Sequence, residues 1–444
     1  MDKEYEIIIV GAGVAGLGCA GLLSQAGKKV LLVEKKKNIG GRAATFRKDG
    51  VVRSIGQHAM LRKLNYEGLL NKLGVKPKRG FFRDIFMSFE GEFKSMDEIF
   101  PLVQMRAAED TAKMRDIINS DVDLEALDDI PADQWVKENI SSQFLIDLFE
   151  MAGAIMCTIP RLEEIAASAI YETVQILMKR MSMWLATDGM QDILDEVASK
   201  IKENGGTIVT GATVQSVLIE DNKVNGVLIE KGIEEDIEGE FGEITKISTP
   251  TIILAIPMWD IFKLIPEEKF PESFVNQIHH LSLKTANLGL TALLPKPVYE
   301  GKKFFMVNFP SINHPGSIFM PTNICPRLAP EGKHIFESSI ICNYEEFAKD
   351  GQLRYQVLEG MKKDLSKWFA NWDKDAYWIS TYFHFEEPKR TAGRAGKHRP
   401  GNKAPGINGL YFAGDSYASR ALPGLECAAE SAMMCVKELL GKLP

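Results

Sequence analysis

The sequence lacks the features that mark secreted disulfide-rich, metal-binding and membrane-spanning proteins. Its six cysteines are scattered over 444 residues, with no C-x-x-C pair and no cluster of cysteine with histidine. We therefore expect a reducing compartment and no bound metal. No uncharged apolar run approaches the ~20 residues of a membrane span. The first predicted strand follows the initial Met-Asp-Lys-Glu directly, without a secretory leader, so a cytoplasmic location is expected.

The chain also has no large excess of one charge. It carries 53 Lys+Arg and 60 Asp+Glu, a net charge of −7, and no basic stripe stands out. Nothing in this balance indicates nucleic-acid binding. The content of 45% hydrophobic and 25% charged residues is ordinary for a globular protein, and the length suggests about two or three domains.

The first forty residues carry the strongest pattern in the chain. The apolar run Glu6–Val10 predicts a buried strand, and it breaks into the turn Gly11–Gly16. An Ala/Leu-rich helical segment, 17–26, follows, and Val30–Val33 then predicts a second strand that ends at Glu34. This order of strand, glycine turn, helix and strand places a pyrophosphate on a helix N-terminus. It predicts a dinucleotide site.

Each residue of this turn has a physical role in such a site. Gly11 permits the tight turn, Gly13 lets the backbone approach a phosphate, and Gly16 allows the helix to pack closely on the strand. Ala15 lies within the same turn. The carboxylate of Glu34 can accept two hydrogen bonds from the adenosine ribose.

A second glycine turn follows the acidic residue. Lys35 comes next, and Gly40-Gly41-Arg42 then combines a flexible turn with a fixed cation that can contact the same pyrophosphate from the other side. The alternative is an ordinary turn with a solvated arginine.

The sequence from Ile8 to Phe46 resembles the flavoprotein superfamily of amine oxidases, protoporphyrinogen oxidases and phytoene desaturases, and is most similar to the phytoene desaturase-like, carotenoid desaturase-type oxidoreductases. These proteins carry a Gly-Gly-Arg after the ribose-binding glutamate and bind FAD, whereas NAD dehydrogenases usually lack it. The resemblance implies an α/β fold with a Rossmann-like, discontinuous FAD-binding domain of the glutathione reductase type. An α+β substrate domain is inserted into it.

The resemblance also predicts how the domains divide the chain. Segments 1–80, 188–258 and 400–444 would form the FAD-binding domain, and 81–187 and 259–399 the substrate-binding domain. In the predicted substrate-binding domain, Phe-rich strands are expected near 81–89, and helices are predicted from Leu102 to Ala186. The methionines of these helices either pack in a core or line a cavity for an apolar ligand.

Further cofactor contacts are implied by the same resemblance. A hairpin around Lys48–Gly50 leads to Gly56, Gln57 and His58, a segment that runs beside the flavin in these proteins. His58 either faces the ring or caps a turn. Val214 stands where the backbone holds the adenine.

The C-terminal segment returns to the cofactor. A predicted strand ends in Gly414-Asp415, and Pro423, Gly424 and Leu425 lead into the last helix. In the superfamily the aspartate binds the ribityl chain, and the helix N-terminus points its amides at the N1 and O2 edge of the flavin. The cofactor is expected to be non-covalent FAD, since no cysteine between residues 386 and 413 is available for attachment.

Lys284 is the single catalytic candidate. Amine oxidase relatives place a lysine on a comparable strand, bridged through water to flavin N5, and the alternative is a solvated lysine. Oxidation by flavin needs a C–H bond held over N5 and little acid–base help.

Three classes of function remain open. The first is an FAD-dependent desaturase or dehydrogenase that acts on an apolar, isoprenoid-like substrate in an apolar channel, with peripheral membrane contact at most. The second is a flavin amine oxidase, and the third is a non-enzymatic lipid-binding protein of the GDP-dissociation-inhibitor type. Intact Glu34, Arg42 and Asp415 argue against the third class.

Overall fold

The computed structural model of the protein describes residues 5–54, 59–178, 182–231, 243–420 and 422–444. Within these ranges the strands, in chain order, are β1 (Ile7–Val10), β2 (Val30–Glu34), β3 (Thr45–Lys48), β4 (Val51–Ser54), β5 (Met60–Leu61), β6 (Arg79–Phe82), β7 (Asp84–Phe89), β8 (Glu92–Ser95), β9 (Met183–Ala186), β10 (Thr207–Thr210), β11 (Ala212–Glu220), β12 (Lys223–Lys231), β13 (Ile244–Ser248), β14 (Ile252–Leu254), β15 (Lys284–Leu294), β16 (Lys303–Phe309), β17 (His314–Phe319), β18 (His334–Asn343), β19 (Trp378–Pro388) and β20 (Leu410–Phe412). The α-helices of the same ranges are α1 (Val14–Gln25), α2 (Asn65–Lys72), α3 (Met96–Arg106), α4 (Ala108–Asn119), α5 (Leu124–Leu127), α6 (Ala132–Asn139), α7 (Gln143–Met156), α8 (Ala167–Met178), α9 (Met190–Glu203), α10 (Ile261–Leu264), α11 (Glu272–Leu281), α12 (Tyr344–Lys349), α13 (Gly351–Trp368) and α14 (Leu425–Leu440).

A five-stranded parallel sheet holds the N-terminal motif, in the order β10-β2-β1-β14-β20. Residues Ile7 and Ile9 of β1 pack with α1, α9 and α14, while Ile8 and Val10 pack with β11, β12, α10 and α11. Both faces are covered, which explains why these strands are continuous apolar runs rather than alternating ones. The predicted strand, turn, helix and strand are confirmed. The helix begins at Val14, three residues earlier than predicted, because Gly13 is its N-cap.

A seven-stranded sheet, in the order β19-β15-β18-β17-β16-β7-β8, is the other large layer. One of its faces packs on α13, and the other packs on the helices between α3 and α8. The predicted strands near 81–89, 281–294 and 304–308 are confirmed, as is a helix in the region of 355–372.

The helical prediction for 102–186 is wrong at its C-terminal end. Residues Met183–Ala186 form β9, which pairs with β5 on one side and β6 on the other. All four residues are buried, and the guanidinium of Arg79 lies 4.5 Å from the ring centroid of Trp184. Pairing with two distant strands overrides the local apolar spacing that favoured a helix.

The hairpin predicted around Lys48–Gly50 is confirmed as β3 and β4, with Asp49 and Gly50 at positive φ of 53° and 78° in the turn. In the ranges that the structure describes, no helix is both long and apolar enough to cross a membrane.

Candidate functional site

The first glycine turn and the Gly-Gly-Arg turn are hydrogen-bonded to each other at the C-terminal ends of β1 and β2. The amide of Gly40 donates to the carbonyl of Ala12 at 2.7 Å, and the amide of Gly11 donates to the carbonyl of Val33 at 2.8 Å. Gly13 and Gly40 form an isolated parallel bridge. The two turns, separated by more than twenty residues, therefore make one concave backbone surface.

The glycines of the first turn are required for different reasons. A Cβ on Gly11 would lie 2.6 Å from the carbonyl oxygen of Ala255, and its φ of +99° is also unfavourable for other residues. A Cβ on Gly16 would clash with the Gly11 carbonyl oxygen. Gly13 differs, because a Cβ there would meet no atom within 4 Å. It leaves open space for a phosphate group.

Glu34 is buried at the end of β2, and backbone donors hold its carboxylate. Oε2 accepts a hydrogen bond from the Ala12 amide at 2.8 Å, and Oε1 accepts one from the Lys36 amide at 2.9 Å. An ionised carboxylate has about four lone-pair positions, so each oxygen can still accept a ribose hydroxyl.

Arg42 and Asp415 connect the two ends of the chain. Nη2 of Arg42 lies 2.6 Å from Oδ2 of Asp415, which is 6% exposed. Gly414 before it has a φ of +144°, and its amide donates to Oγ of Ser431 in α14 at 3.1 Å. The N-terminal turn and the C-terminal Gly-Asp thus lie at one site.

Two helix N-termini meet this site without side-chain caps. Gly13 is the N-cap of α1 and Gly424 that of α14, and neither helix receives a side-chain cap hydrogen bond. Amides in the first turn of a helix that has no side-chain cap can donate to a ligand anion. Glu426, in the first turn of α14, accepts from the amide of Tyr66 at 2.9 Å, and burial raises its pKa to about 7.

These residues fit FAD. The open side of Gly13, the uncapped amides and the oriented Glu34 carboxylate match a pyrophosphate and a ribose.

The structure places the other residues of the predicted site as follows. Ala15 is buried in α1, Lys35 is exposed after β2, and Gly41 and Arg42 form a short 3-10 turn. Val214 is buried in β11 at a β-bulge, and Pro423 and Leu425 flank the N-cap of α14. Gly56, Gln57 and His58 lie outside the described residues.

Lys284 is the first residue of β15, and its ammonium lies between two aromatic rings. Nζ is 4.7 Å from the ring centroid of Tyr344 and 5.1 Å from that of Trp259. Both distances are within the range of cation–π attraction. Sequence analysis missed the two rings, since they follow different strands and no local spacing joins them to Lys284.

Sequence analysis also missed two buried arginines, Arg390 and Arg399, that lie close to the Asp415 segment. Nη2 of Arg390, 7% exposed, is 2.7 Å from Sγ of Cys427, which is itself 3.6 Å from the carbonyl oxygen of Asp415. Arg399 donates to the carbonyls of Pro388 and Ser416. These arginines join the end of β19 to the cofactor segment, although the basic stretch 389–399 carries no sequence signal for burial.

A family model described as flavin containing amine oxidoreductase matches residues 14–440. Among curated proteins, prolycopene isomerase 2 of an Oncidium hybrid cultivar, a chloroplastic protein, is 25% identical, over 99% of this chain and 84% of that protein. The chloroplastic and chromoplastic 15-cis-phytoene desaturase of Arabidopsis thaliana is 22% identical, over 99% of this chain and 80% of that protein.

The fold is also that of solved structures. An oxidoreductase from Methanosarcina mazei superposes with a TM-score of 0.76 at 19% identity, covering 98% of this chain and all of that one.

Proposed function

Since the chain belongs to the flavin-containing amine oxidoreductase family, we propose that it is a desaturase or dehydrogenase of an apolar, isoprenoid-like substrate. The protein is an FAD-dependent oxidoreductase. The observation that carries it is the similarity to two carotenoid enzymes over 99% of the chain. FAD supplies a hydride acceptor, and the protein must orient a C–H bond and exclude water.

Each cofactor-facing group has a role in this proposal. Glu34 binds the adenosine ribose, the glycine turns and Arg42 bind the pyrophosphate, and Asp415 binds the ribityl chain. The amides at the start of α14 stabilise negative charge on the reduced ring. Lys284 is assigned to the substrate side, where its two aromatic neighbours hold the ammonium in one position.

The division into an FAD-binding domain and a substrate-binding domain remains part of the proposal, with the boundaries given by the sequence. The large parallel sheet and the seven-stranded sheet support it, because each draws its strands from one of the two sets of segments. The small sheet β5-β9-β6 crosses the boundary at 80, because β5 lies before it, β6 spans it and β9 lies after it. A cytoplasmic location and peripheral membrane contact stay predictions.

The amine oxidase alternative would need a site for a substrate cation. Trp259 and Tyr344 are two aromatic rings on which such a cation could be held, and the ammonium of Lys284 already lies over both of them. This arrangement favours the apolar substrate. The non-enzymatic alternative is wrong, because the family is one of flavin enzymes.

The test begins with the purified holoprotein. Acid precipitation should release all of the flavin, since the cofactor is expected to be non-covalent. Under anaerobic conditions, a carotenoid hydrocarbon in detergent micelles should bleach the flavin absorbance and shift its own polyene spectrum. A diamine such as putrescine should do neither. Bleaching by the amine alone would overturn the proposal.

A further inference from the structure

One face of the seven-stranded sheet carries polar residues. Side chains alternate along a strand, and in β15 the residues Ala286, Leu288 and Leu290 pack on the side of α13. Thr285, Asn287, Gly289 and Thr291 therefore face the other way. The Oδ1 atom of Asn287 is buried there and has no hydrogen-bond partner among the described residues.

Thr285, Asn287, Gly289 and Thr291 begin a polar row, which the strand register extends across the neighbouring strands. Gly289 is paired with Ser339 in β18 and with Tyr382 in β19, and a Cβ on Gly289 would lie 2.7 Å from the Tyr382 hydroxyl. The glycine makes room for that hydroxyl. The rings of Tyr382 and His384 stack at 5.5 Å, which places both on the same face.

The polar row ends at Glu337, which is paired with Thr291. Glu337 lines a cavity together with Val52 and Ser54 of β4, and Ser54 directly precedes the segment 55–58 that the sequence places beside the flavin. At the opposite end, the amide of Lys389 donates to the carbonyl of Leu283, one residue before the start of β15. The row therefore runs from the cavity at Ser54 to the first residues of β15.

The cavity at Glu337 is small and apolar apart from two side chains. Its volume is about 40 Å³, enough for one or two groups of water size, since a single water needs at least ~10–15 Å³. Among the described residues that line it, Ser54 is the only other one with a polar side chain. The apolar part of the lining includes Val52, Leu185, Met190, Phe319 and Ile335.

The carboxyl of Glu337 makes no hydrogen bond or ion pair with any described residue. Burial raises its pKa to about 7, so a large share of the molecules carry it as the neutral acid at neutral pH. Glu337 is partly buried, and a carboxyl group taken out of water without a partner is costly unless a ligand or a water molecule completes its hydrogen bonds.

We propose that this cavity binds the oxygen-bearing end, a hydroxyl or carbonyl group, of an otherwise apolar substrate, and that Glu337 is the specificity-determining residue that hydrogen-bonds it. The inference rests on the proposed function, because it assumes an apolar molecule along the polar row. Burial favours the neutral acid of Glu337, which can donate to a carbonyl or accept from a hydroxyl, whereas an ammonium group would require the ionised carboxylate.

The test compares three probes on the flavin-loaded protein, namely an isoprenoid alcohol, the hydrocarbon and the amine of the same chain length, each in detergent micelles. Binding is measured by the change in flavin fluorescence, without turnover. The wild type should prefer the alcohol to the hydrocarbon. Glu337→Leu should weaken alcohol binding by about tenfold, as expected for one unpaired hydrogen-bonding group, and leave hydrocarbon binding unchanged.

Two variants serve as controls. Glu337→Gln keeps a donor and an acceptor and should stay within about threefold of the wild type. Glu331→Leu removes an exposed glutamate before β18 and should change nothing. The inference is overturned if Glu337→Leu weakens all probes equally, if the wild type does not distinguish alcohol from hydrocarbon, or if the amine binds best. Flavin content and flavin reduction are measured separately, so failure of the proposed reaction is distinguishable from failure of this inference.

Discussion

At the scale of single residues, Glu34 shows how one carboxylate serves both the fold and the ligand. Its two oxygens accept from the amides of Ala12 and Lys36, at 2.8 and 2.9 Å, and the residue is 7% exposed. The first of these bonds also fixes the glycine turn. Removing the carboxylate therefore disturbs the turn as well as the ribose contact.

Glu34→Ala should lower FAD affinity by tens to hundreds of fold. Hydrogen bonds to a charged group contribute ~1.5–3 kcal/mol each, and each 1.4 kcal/mol is about tenfold in affinity. The flavin-to-protein ratio after gel filtration and extended dialysis measures the loss. Lys37→Ala, at an exposed position of the same segment, is the control and should keep its flavin. An unchanged ratio in Glu34→Ala would contradict the assignment of this residue.

At the scale of elements, one buried ion pair joins the helical insertion to the loop before α14. Asp128, fully buried after α5, accepts from Nη1 and Nη2 of Arg420 at 3.2 and 2.8 Å and from the amide of Lys397 at 2.9 Å. Burial opposes its ionisation, but Arg420, Ser168 and the Lys397 amide together hold the pKa of Asp128 below its usual value. Three distant segments are thus fixed at one carboxylate.

Arg420→Gln should lower the free energy of unfolding by about 2–3 kcal/mol. This is below the ~3–5 kcal/mol of fully buried pairs, because the arginine side chain is 31% exposed. Urea unfolding of the holoprotein measures the change. The double variant with Asp128→Asn should recover part of the loss, since no buried charge is then left unpaired. A double variant less stable than the sum of both single variants would contradict this explanation.

At the scale of the whole molecule, burial favours the uncharged form of several carboxyl groups. The pKa values of Glu172, Glu337 and Glu426 are each raised to about 7, with burial as the largest cause. In the unfolded chain such groups titrate near 4.5. Between these values the folded protein binds more protons than the unfolded chain, so its stability falls as pH rises.

We expect the free energy of unfolding of the holoprotein to decrease from about pH 5 to pH 8. Glu426→Gln should make this decrease in the free energy of unfolding smaller by about 2–3 kcal/mol, because each unit of pKa shift corresponds to about 1.4 kcal/mol. The glutamine side chain can still accept the hydrogen bond from the Tyr66 amide. Denaturant titrations at several pH values, with FAD in constant excess, measure the slope. A slope equal to that of the wild type would show that Glu426 is already ionised in the fold. Below about pH 4 the sign reverses, because Asp110 and Asp128 have lowered pKa values and their contribution is lost on protonation.

The sequence by itself determined the cofactor end of the protein. Gly11, Gly13, Glu34, Gly41 and Gly414 act through backbone conformation and through position at a strand end, and both properties are written in contiguous residues. For that reason the strand, the turn and the helix were predictable, whereas the return of the C-terminal Gly414-Asp415 to the same site was implied by the resemblance to flavoproteins.

Only the tertiary structure decided those features that depend on contacts between residues distant in the sequence. Met183–Ala186 became a strand because β5 and β6 flank it, and Lys284 lies between Trp259 and Tyr344, which are remote in sequence. Glu337 is a single acidic residue in the apolar run of β18, yet its significance follows from the cavity it lines. Strand register and burial set the hydration and the partners of a side chain, and neither can be calculated from the residues beside it in the chain.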